Sequence, residues 1–296
     1  IGAERKDASE FIRTDSNFGK ALVDFKVTDK AIQNSFKDFK GTAVVPGFIS
    51  KNEKGEYTTI GRGGSDYTAA IISAALNVDV LEIWTDVNGF MTADPRVIRK
   101  AYTIPELTYS EAMELSHFGA KVIYPPTILP VYQKGIPIHI KNTFEPENPG
   151  TRISKTMENG LERPIKGISS ISGINLVTLQ GIGMVGVTGI SMRLFTALAK
   201  ENVNVILISQ ASSENSISVA IDEHAVDLAE NAIRDEFEKE ISAGQINKID
   251  IENNLSIVAI VGENMKHTTG IAGKLFSTMG KSGVNVGIRG VFVNKA

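Results

Sequence analysis

The chain has 296 residues, 42% apolar and 22% charged, with a formal net charge of −3. That balance suits a folded two-domain protein and lacks the basic excess that binding to a phosphate backbone requires. No run approaches the roughly eighteen apolar residues of a membrane span, and the lack of cysteine removes disulfides, thiol catalysis and thiolate metal sites. The sequence opens at Ile1 with no methionine and no basic-then-apolar leader pattern, so the expectation is either that the start was removed or that this is a piece of a longer polypeptide.

Residues 1–40 carry scattered Phe and Lys with weak periodicity. Residues 42–45 and 57–60 then read as short strands, with a turn at Pro46-Gly47. Gly61-Arg62-Gly63-Gly64-Ser65-Asp66 follows, ahead of a helical pattern over 67–76 in which Ile72, Ala75 and Leu76 share a face. Residues 78–84 form a nearly continuous apolar run, which predicts a parallel strand buried on both faces. Ser110 is a candidate cap for a helix through Phe118 that Gly119 ends, and a proline-containing helix runs to Gly135. A strand over 136–140 comes next. The Pro- and Gly-bearing stretch 145–152 reads as the exit from the first domain, and 153–172, which has no clear period, as linker.

The second half contains an internal repeat. Thr188-Gly189-Ile190, Leu194-Phe195, Lys200 and Val203-Asn204-Val205 recur as Thr269-Gly270-Ile271, Leu275-Phe276, Lys281 and Val284-Asn285-Val286, each displaced by 81 residues, as are Met184 and Met265. Apolar strands over 176–179 and 257–261 precede the two copies of the loop and helix. The first copy continues with an alternating strand over 215–221, a helix over 223–240 whose stripe is Ala225, Ala229, Ile233 and Phe237, and a last strand near 245–251. That order predicts a split βαβ sandwich of the ferredoxin-like kind. The second copy loses register after Val286: Ile206, Ile208 and Gln210 map onto Gly287, Arg289 and Val291.

The turn at 61–66 is the strongest candidate for chemistry. Glycines permit close backbone approach, the helix start offers unpaired N–H groups, and Arg62 adds a fork of donors, so an anion would be welcome. Taken alone, the same residues also fit a tight strand-to-helix turn with an exposed arginine, and neither the P-loop nor the dinucleotide spacing is present. Thr85-Asp86-Val87-Asn88-Gly89 lies at the carboxyl end of the expected strand, where open sheets bind ligands, although it and Thr92-Ala93-Asp94-Pro95-Arg96 also fit plain polar turns. Lys121 alone reads as solvated. None of His117, His139, His224 and His267 has a partner at ligand spacing, so no metal site is expected.

Four motifs in order resemble the aspartokinases, members of the amino acid kinase family: Gly61-Arg62-Gly63-Gly64-Ser65-Asp66-Tyr67-Thr68-Ala69-Ala70, Trp84-Thr85-Asp86-Val87-Asn88-Gly89, Thr92-Ala93-Asp94-Pro95-Arg96 and Phe118-Gly119-Ala120-Lys121-Val122. The likeness covers residues 1–155 and leaves 156–172 as linker. The repeats resemble paired regulatory ACT domains, the first over 173–253 and an incomplete second over 254–296. Ile208-Ser209-Gln210-Ala211-Ser212-Ser213-Glu214-Asn215-Ser216 is similar to the form fused to homoserine dehydrogenase. The implied fold is α/β, a mostly parallel amino-acid-kinase sheet between helices followed by ferredoxin-like βαββαβ repeats.

The implied reaction is transfer of the ATP γ-phosphoryl group to L-aspartate in a cytoplasmic, feedback-regulated pathway to threonine, lysine and methionine. By the same resemblance, Arg62 and Ser65 hold aspartate. Asp66 and Lys121 are catalytic, Asp66 orienting the lysines rather than acting as a base. Thr85, Asp86, Met91, Arg96, Lys121 and Val122 bind ATP; Met91 stands where the family often has tyrosine. Mg2+ is carried mainly by the nucleotide phosphates. Gln210, with Ile190 and Ser191, is expected to bind the effector, threonine before lysine, and association into a homodimer or higher through ACT domains is implied, with no nucleic acid or membrane partner.

The family's Lys-Phe-Gly-Gly-Ser/Thr phosphate loop and its Gly-Glu-Leu substrate segment do not occur in these 296 residues. A single lost transition-state donor costs about 10²–10³ in rate, so the expectation is that this polypeptide alone does not turn over. A non-catalytic amino-acid-binding module with a kinase remnant as scaffold is the competing reading. A kinase acting on glutamate or a nucleotide is a third, against which the 61–66 motif and the paired repeats both speak.

Overall fold

The computed structural model describes residues 2–120, 122–157 and 163–286. The chain divides into two compact units, Ile1–Ser169 with Ala259–Thr268, and Ser170–Val258 with Thr269–Ala296. Among the described residues no helix is long and apolar enough to cross a membrane.

The first unit contains, in order, β1 (Ala3–Arg5), β2 (Arg13–Thr14), α1 (Phe25–Phe36), β3 (Thr42–Val44), β4 (Ile49–Asn52), β5 (Tyr57–Thr59), α2 (Gly64–Leu76), β6 (Leu81–Thr85), β7 (Glu106–Thr108), α3 (Tyr109–His117), α4 (Ile128–Lys134), β8 (Ile138–Asn142) and β9 (Thr151–Ser154). Strands pair in parallel as β1 with β3, β2 with β4, β6 with β8 and β7 with β9, whereas β4–β5 and β8–β9 are antiparallel. One core lies beneath the sheet of order β6-β8-β9-β7, where Ile83, Leu107, Ile138, Ile140 and Ile153 meet Tyr109, Leu115, Ile128 and Val131 of the helices. A second gathers Phe11, Ile12, Ile32, Ile60, Ile71 and Ala75 around α1 and α2.

Three expectations change in this unit. The strand expected over 78–84 runs from Leu81 to Thr85 and alternates, with Leu81 and Ile83 buried but Glu82 and Trp84 exposed. Only one face of the strand meets the core; on the other, Trp84 packs with the Lys141 ammonium at 5.0 Å and donates its indole N–H to Glu82. Helix α3 is capped by Thr108, not Ser110: the Thr108 hydroxyl accepts from the Glu111 N–H while the Glu111 carboxylate accepts from the Thr108 N–H. Arg152, expected in a domain exit, stands in β9 between β8 and β7.

The second unit is built from β10 (Gly167–Gln180), α5 (Ile190–Lys200), β11 (Val205–Gln210), β12 (Ser216–Asp222), α6 (Val226–Glu236), α7 (Glu238–Ser242), β13 (Lys248–Val261) and α8 (Ile271–Lys281). Its sheet has the order β11-β12-β10-β13, which with the crossing helices gives the expected ferredoxin-like βαββαβ arrangement. Val177, Leu179, Leu194, Leu198, Val219, Ile221, Ile233 and Phe237 form the core between sheet and helices. Residues 167–172, read as linker, are the first part of β10. The strands expected near 245–251 and over 257–261 are one continuous strand, β13.

The repeat is visible in the backbone. Helices α5 and α8 each begin directly after a glycine in the left-handed region, Gly189 at φ 88° and Gly270 at φ 83°. A side chain is strained at such an angle, which accounts for glycine at both positions. The Arg193 guanidinium joins α5 to the end of α6 and to α7, bonding the Glu236 and Glu240 carboxylates and the Glu236 carbonyl over the Phe237 ring.

Candidate functional site

Strand β5 delivers the chain into the glycine turn, and the turn is clamped on both sides. Gly63 lies at φ 73° immediately before α2, and a Cβ there would overlap the Tyr124 side chain. On the other side, a Cβ on Gly64 would come 2.8 Å from the Phe48 ring, and one on Gly47 would come 2.8 Å from the Ser65 Cα. The Phe48 N–H donates to the Thr68 hydroxyl, which donates in turn to the Gly64 carbonyl (3.0 and 2.8 Å). The Tyr67 ring meets the Tyr124 ring edge-on at 6.3 Å. Sequence reasoning passed over Phe48 and Tyr124 because nothing local marks a contact made across sixteen or sixty-one residues.

What the clamp exposes is cationic. Arg62 and Ser65 are exposed, and the Lys20 stem lies 3.6 Å from where a Gly61 side chain would begin. Together with the positive end of the dipole of the 13-residue α2, these donors favour an anionic ligand. Asp66 is half-buried one turn into the helix, and burial pushes its carboxyl above the ordinary value.

Helix α2 closes at Asn77, and a four-residue link leads into β6, so the strand runs back along the helix. This geometry puts the start of α2 and the carboxyl end of β6 at the same edge of the βα unit. There the Thr85 hydroxyl donates to Asp86 at 3.2 Å, and the Thr143 N–H donates to the Thr85 carbonyl at 2.8 Å. Met91 is half-buried and bridges Thr103 in antiparallel fashion. Val122 packs against the main core. Arg96 is engaged with Asp94, Nη2 to carboxylate at 2.7 Å, and those bonds hold the Asp94 carboxyl below its usual value. Lys121 lies outside the described residues. Among the described residues there is no group of three or more His, Asp or Glu placed to hold a metal ion.

In the second unit the structure brings together two residues nineteen apart. The Ser191 hydroxyl, in the first turn of α5, donates to the Gln210 amide oxygen at 3.4 Å at the end of β11. Ile190 beside it is buried. The Gly186 N–H in the same loop donates to the Glu214 carboxylate at 3.2 Å, a contact that only the fold reveals. Gly287, Arg289 and Val291, where the second repeat loses register, lie outside the described residues.

Residues 3–142 match the amino acid kinase family, and residues 177–237 and 258–288 match the ACT domain. The first segment thus carries amino-acid-kinase sequence and the later segments ACT-domain sequence. The bifunctional aspartokinase/homoserine dehydrogenase of Haemophilus influenzae is 41% identical over 243 residues, 82% of this chain and 30% of that protein. Aspartokinase III of Escherichia coli, solved in complex with aspartate and ADP, has a TM-score of 0.78 at 30% identity, covering 94% of this chain and 62% of that one. Clostridium acetobutylicum aspartate kinase has a TM-score of 0.81 at 33% identity, covering 96% and 63%. The chain thus spans under a third of the length of that bifunctional relative and under two thirds of the solved aspartokinases.

Proposed function

We propose that the chain forms part of a site for phosphoryl transfer from ATP to the side-chain carboxylate of L-aspartate, giving 4-phospho-L-aspartate for threonine, lysine and methionine biosynthesis under feedback by an amino acid at its ACT segments, and that these 296 residues, which lack the family's Lys-Phe-Gly-Gly-Ser/Thr loop, do not turn over alone. The observation that carries this reading is the clamped turn at 61–66, which presents exposed Arg62 and Ser65 at the start of α2 and on the edge where β6 ends. The aspartate and ADP of the Escherichia coli structure support the same pair of substrates.

In the reaction a carboxylate oxygen of aspartate forms the new bond to the γ-phosphorus. The bond from that phosphorus to the β,γ-bridging oxygen breaks, and ADP leaves with the electron pair. The nucleophile is already an anion, so no general base is needed. The protein has to hold two anions in line and offset charge on the equatorial oxygens. Arg62 forks onto a substrate carboxylate and Ser65 donates beside it. Asp66 orients the lysines, Lys121 faces the phosphates, and Thr85, Asp86, Met91 and Val122 wall the nucleotide. Arg96 reaches the nucleotide by exchanging Asp94 for it. Mg2+, carried mainly by the phosphates, supplies further charge neutralisation. In the second unit Gln210, Ser191 and Ile190 bind the effector, threonine, in a cytoplasmic homodimer or larger assembly.

The contact between Ser191 and Gln210 favours a second reading, in which the chain binds an amino acid and the kinase segment is scaffold. Calorimetric titration separates the two. Saturable MgATP binding that falls at least tenfold in Lys121→Ala is the outcome expected of the kinase reading. Threonine binding without any MgATP binding is the outcome expected of the module.

A further inference from the structure

We propose that Phe144 stacks on the base of the bound nucleotide, an assignment that rests on the nucleotide reading above. Strand β8 ends at Asn142 beside β6, and the next residue donates its N–H to the Thr85 carbonyl at 2.8 Å. Phe144 follows directly, at the carboxyl edge of a parallel strand pair where α/β sheets take ligands. It is 80% exposed.

The segment that carries this ring is fixed. The Phe144 N–H donates to the Asn142 side-chain oxygen at 2.9 Å, and the Asn142 amide donates to the Asn88 oxygen at 2.6 Å. The amides of Asn88 and Asn148 both donate to one Glu145 carboxylate oxygen, at 2.9 and 3.4 Å. One network therefore ties the loop of Asp86 and Asn88 to the loop of Phe144. An aromatic ring held in water on a pinned loop forfeits its burial until a second flat apolar surface covers it.

Charge decides which part of a nucleotide that surface belongs to. Asp86 and Glu145 are carboxylates and repel phosphate, while Asp86 and the Thr85 hydroxyl suit sugar hydroxyls and exocyclic amines. The phosphates belong toward the cationic turn at 61–66, which leaves the base at Phe144. Stacking accepts any base, favours a purine, and gives nothing to a bare polyphosphate.

Calorimetry on the 296-residue chain with MgADP and, separately, magnesium pyrophosphate tests this. Phe144→Ala is expected to weaken MgADP about tenfold and to leave pyrophosphate unchanged, while Phe144→Tyr stays within about twofold of the parent for both. Unchanged MgADP affinity in Phe144→Ala, or an equal loss for MgADP and pyrophosphate, overturns the stacking role and leaves the kinase reading intact. If the unsubstituted chain binds no MgADP, the nucleotide reading fails and the assignment with it.

Discussion

Tyr124 fills the space that any side chain on Gly63 would need. This contact joins the turn that carries Arg62 and Ser65 to the segment that follows Phe118-Gly119-Ala120-Lys121-Val122, so two distant motifs share one rigid site. Gly63→Ala is expected to destabilise the chain by about 2 kcal/mol or more, combining left-handed strain with overpacking. Tyr124→Ala relieves the overlap but not the strain. The double variant should therefore lose less than the sum of the single losses in urea unfolding; strict additivity would show that the two residues do not meet.

Asp66 gives a pH dependence. Burial raises its carboxyl above the ordinary 3.8, so ionisation opposes folding. The protonated form's contribution is complete below the unfolded value and is lost as pH rises through the folded one. Asp66→Asn, which cannot ionise, should gain thermal stability over the parent progressively as pH is raised from about 4 to 7. A constant difference across that range would mean the burial penalty is absent.

Arg193 ties α5 to the helices α6 and α7, and its hydrogen bonds to the Glu240 and Glu236 carboxylates hold its guanidinium well above the ordinary value. About a third of the side chain remains exposed, so screening reduces what the ion pairs contribute. Arg193→Ala should cost about 1–2 kcal/mol in denaturant unfolding. Arg193→Lys should recover only part of this, since lysine lacks the planar fork that bonds both carboxylates and stacks on Phe237.

At the effector position, calorimetric titration with threonine and with lysine is expected to give a heat with threonine. Gln210→Ala should weaken that binding about tenfold through loss of a buried hydrogen bond in the complex. Ser191→Ala should have a smaller effect. Absence of threonine heat, or an unchanged heat in Gln210→Ala, contradicts the assignment.

Much of the fold was legible because local signals and tertiary structure agree. The stop at Gly135 and the 81-residue repeat that contains Gly189 and Gly270 needed no partner to be seen. The misreadings have physical causes. Thr108 and Glu111 make a capping box that was present in the sequence, yet Ser110 drew attention as a closer cap. Residues 78–84 look buried throughout, but burial depends on whether a layer covers each face of the sheet, which composition does not encode. Arg152 follows a Pro- and Gly-rich stretch that signals an exit, while its strand pairing with β8 and β7 is non-local. At the site, Arg62, Ser65, Thr85 and Asp86 were readable as motif residues. Phe48, Lys20 and Tyr124 were not, since each is defined by what it packs against.

The turn at 61–66 is the proposed recognition site for L-aspartate. Calorimetric titration of L-aspartate into the 296-residue chain should give saturable binding that Arg62→Ala weakens by at least tenfold, while Arg62→Lys restores it only partly because the forked contact is lost. No binding of aspartate, or binding of equal strength in Arg62→Ala, would contradict it.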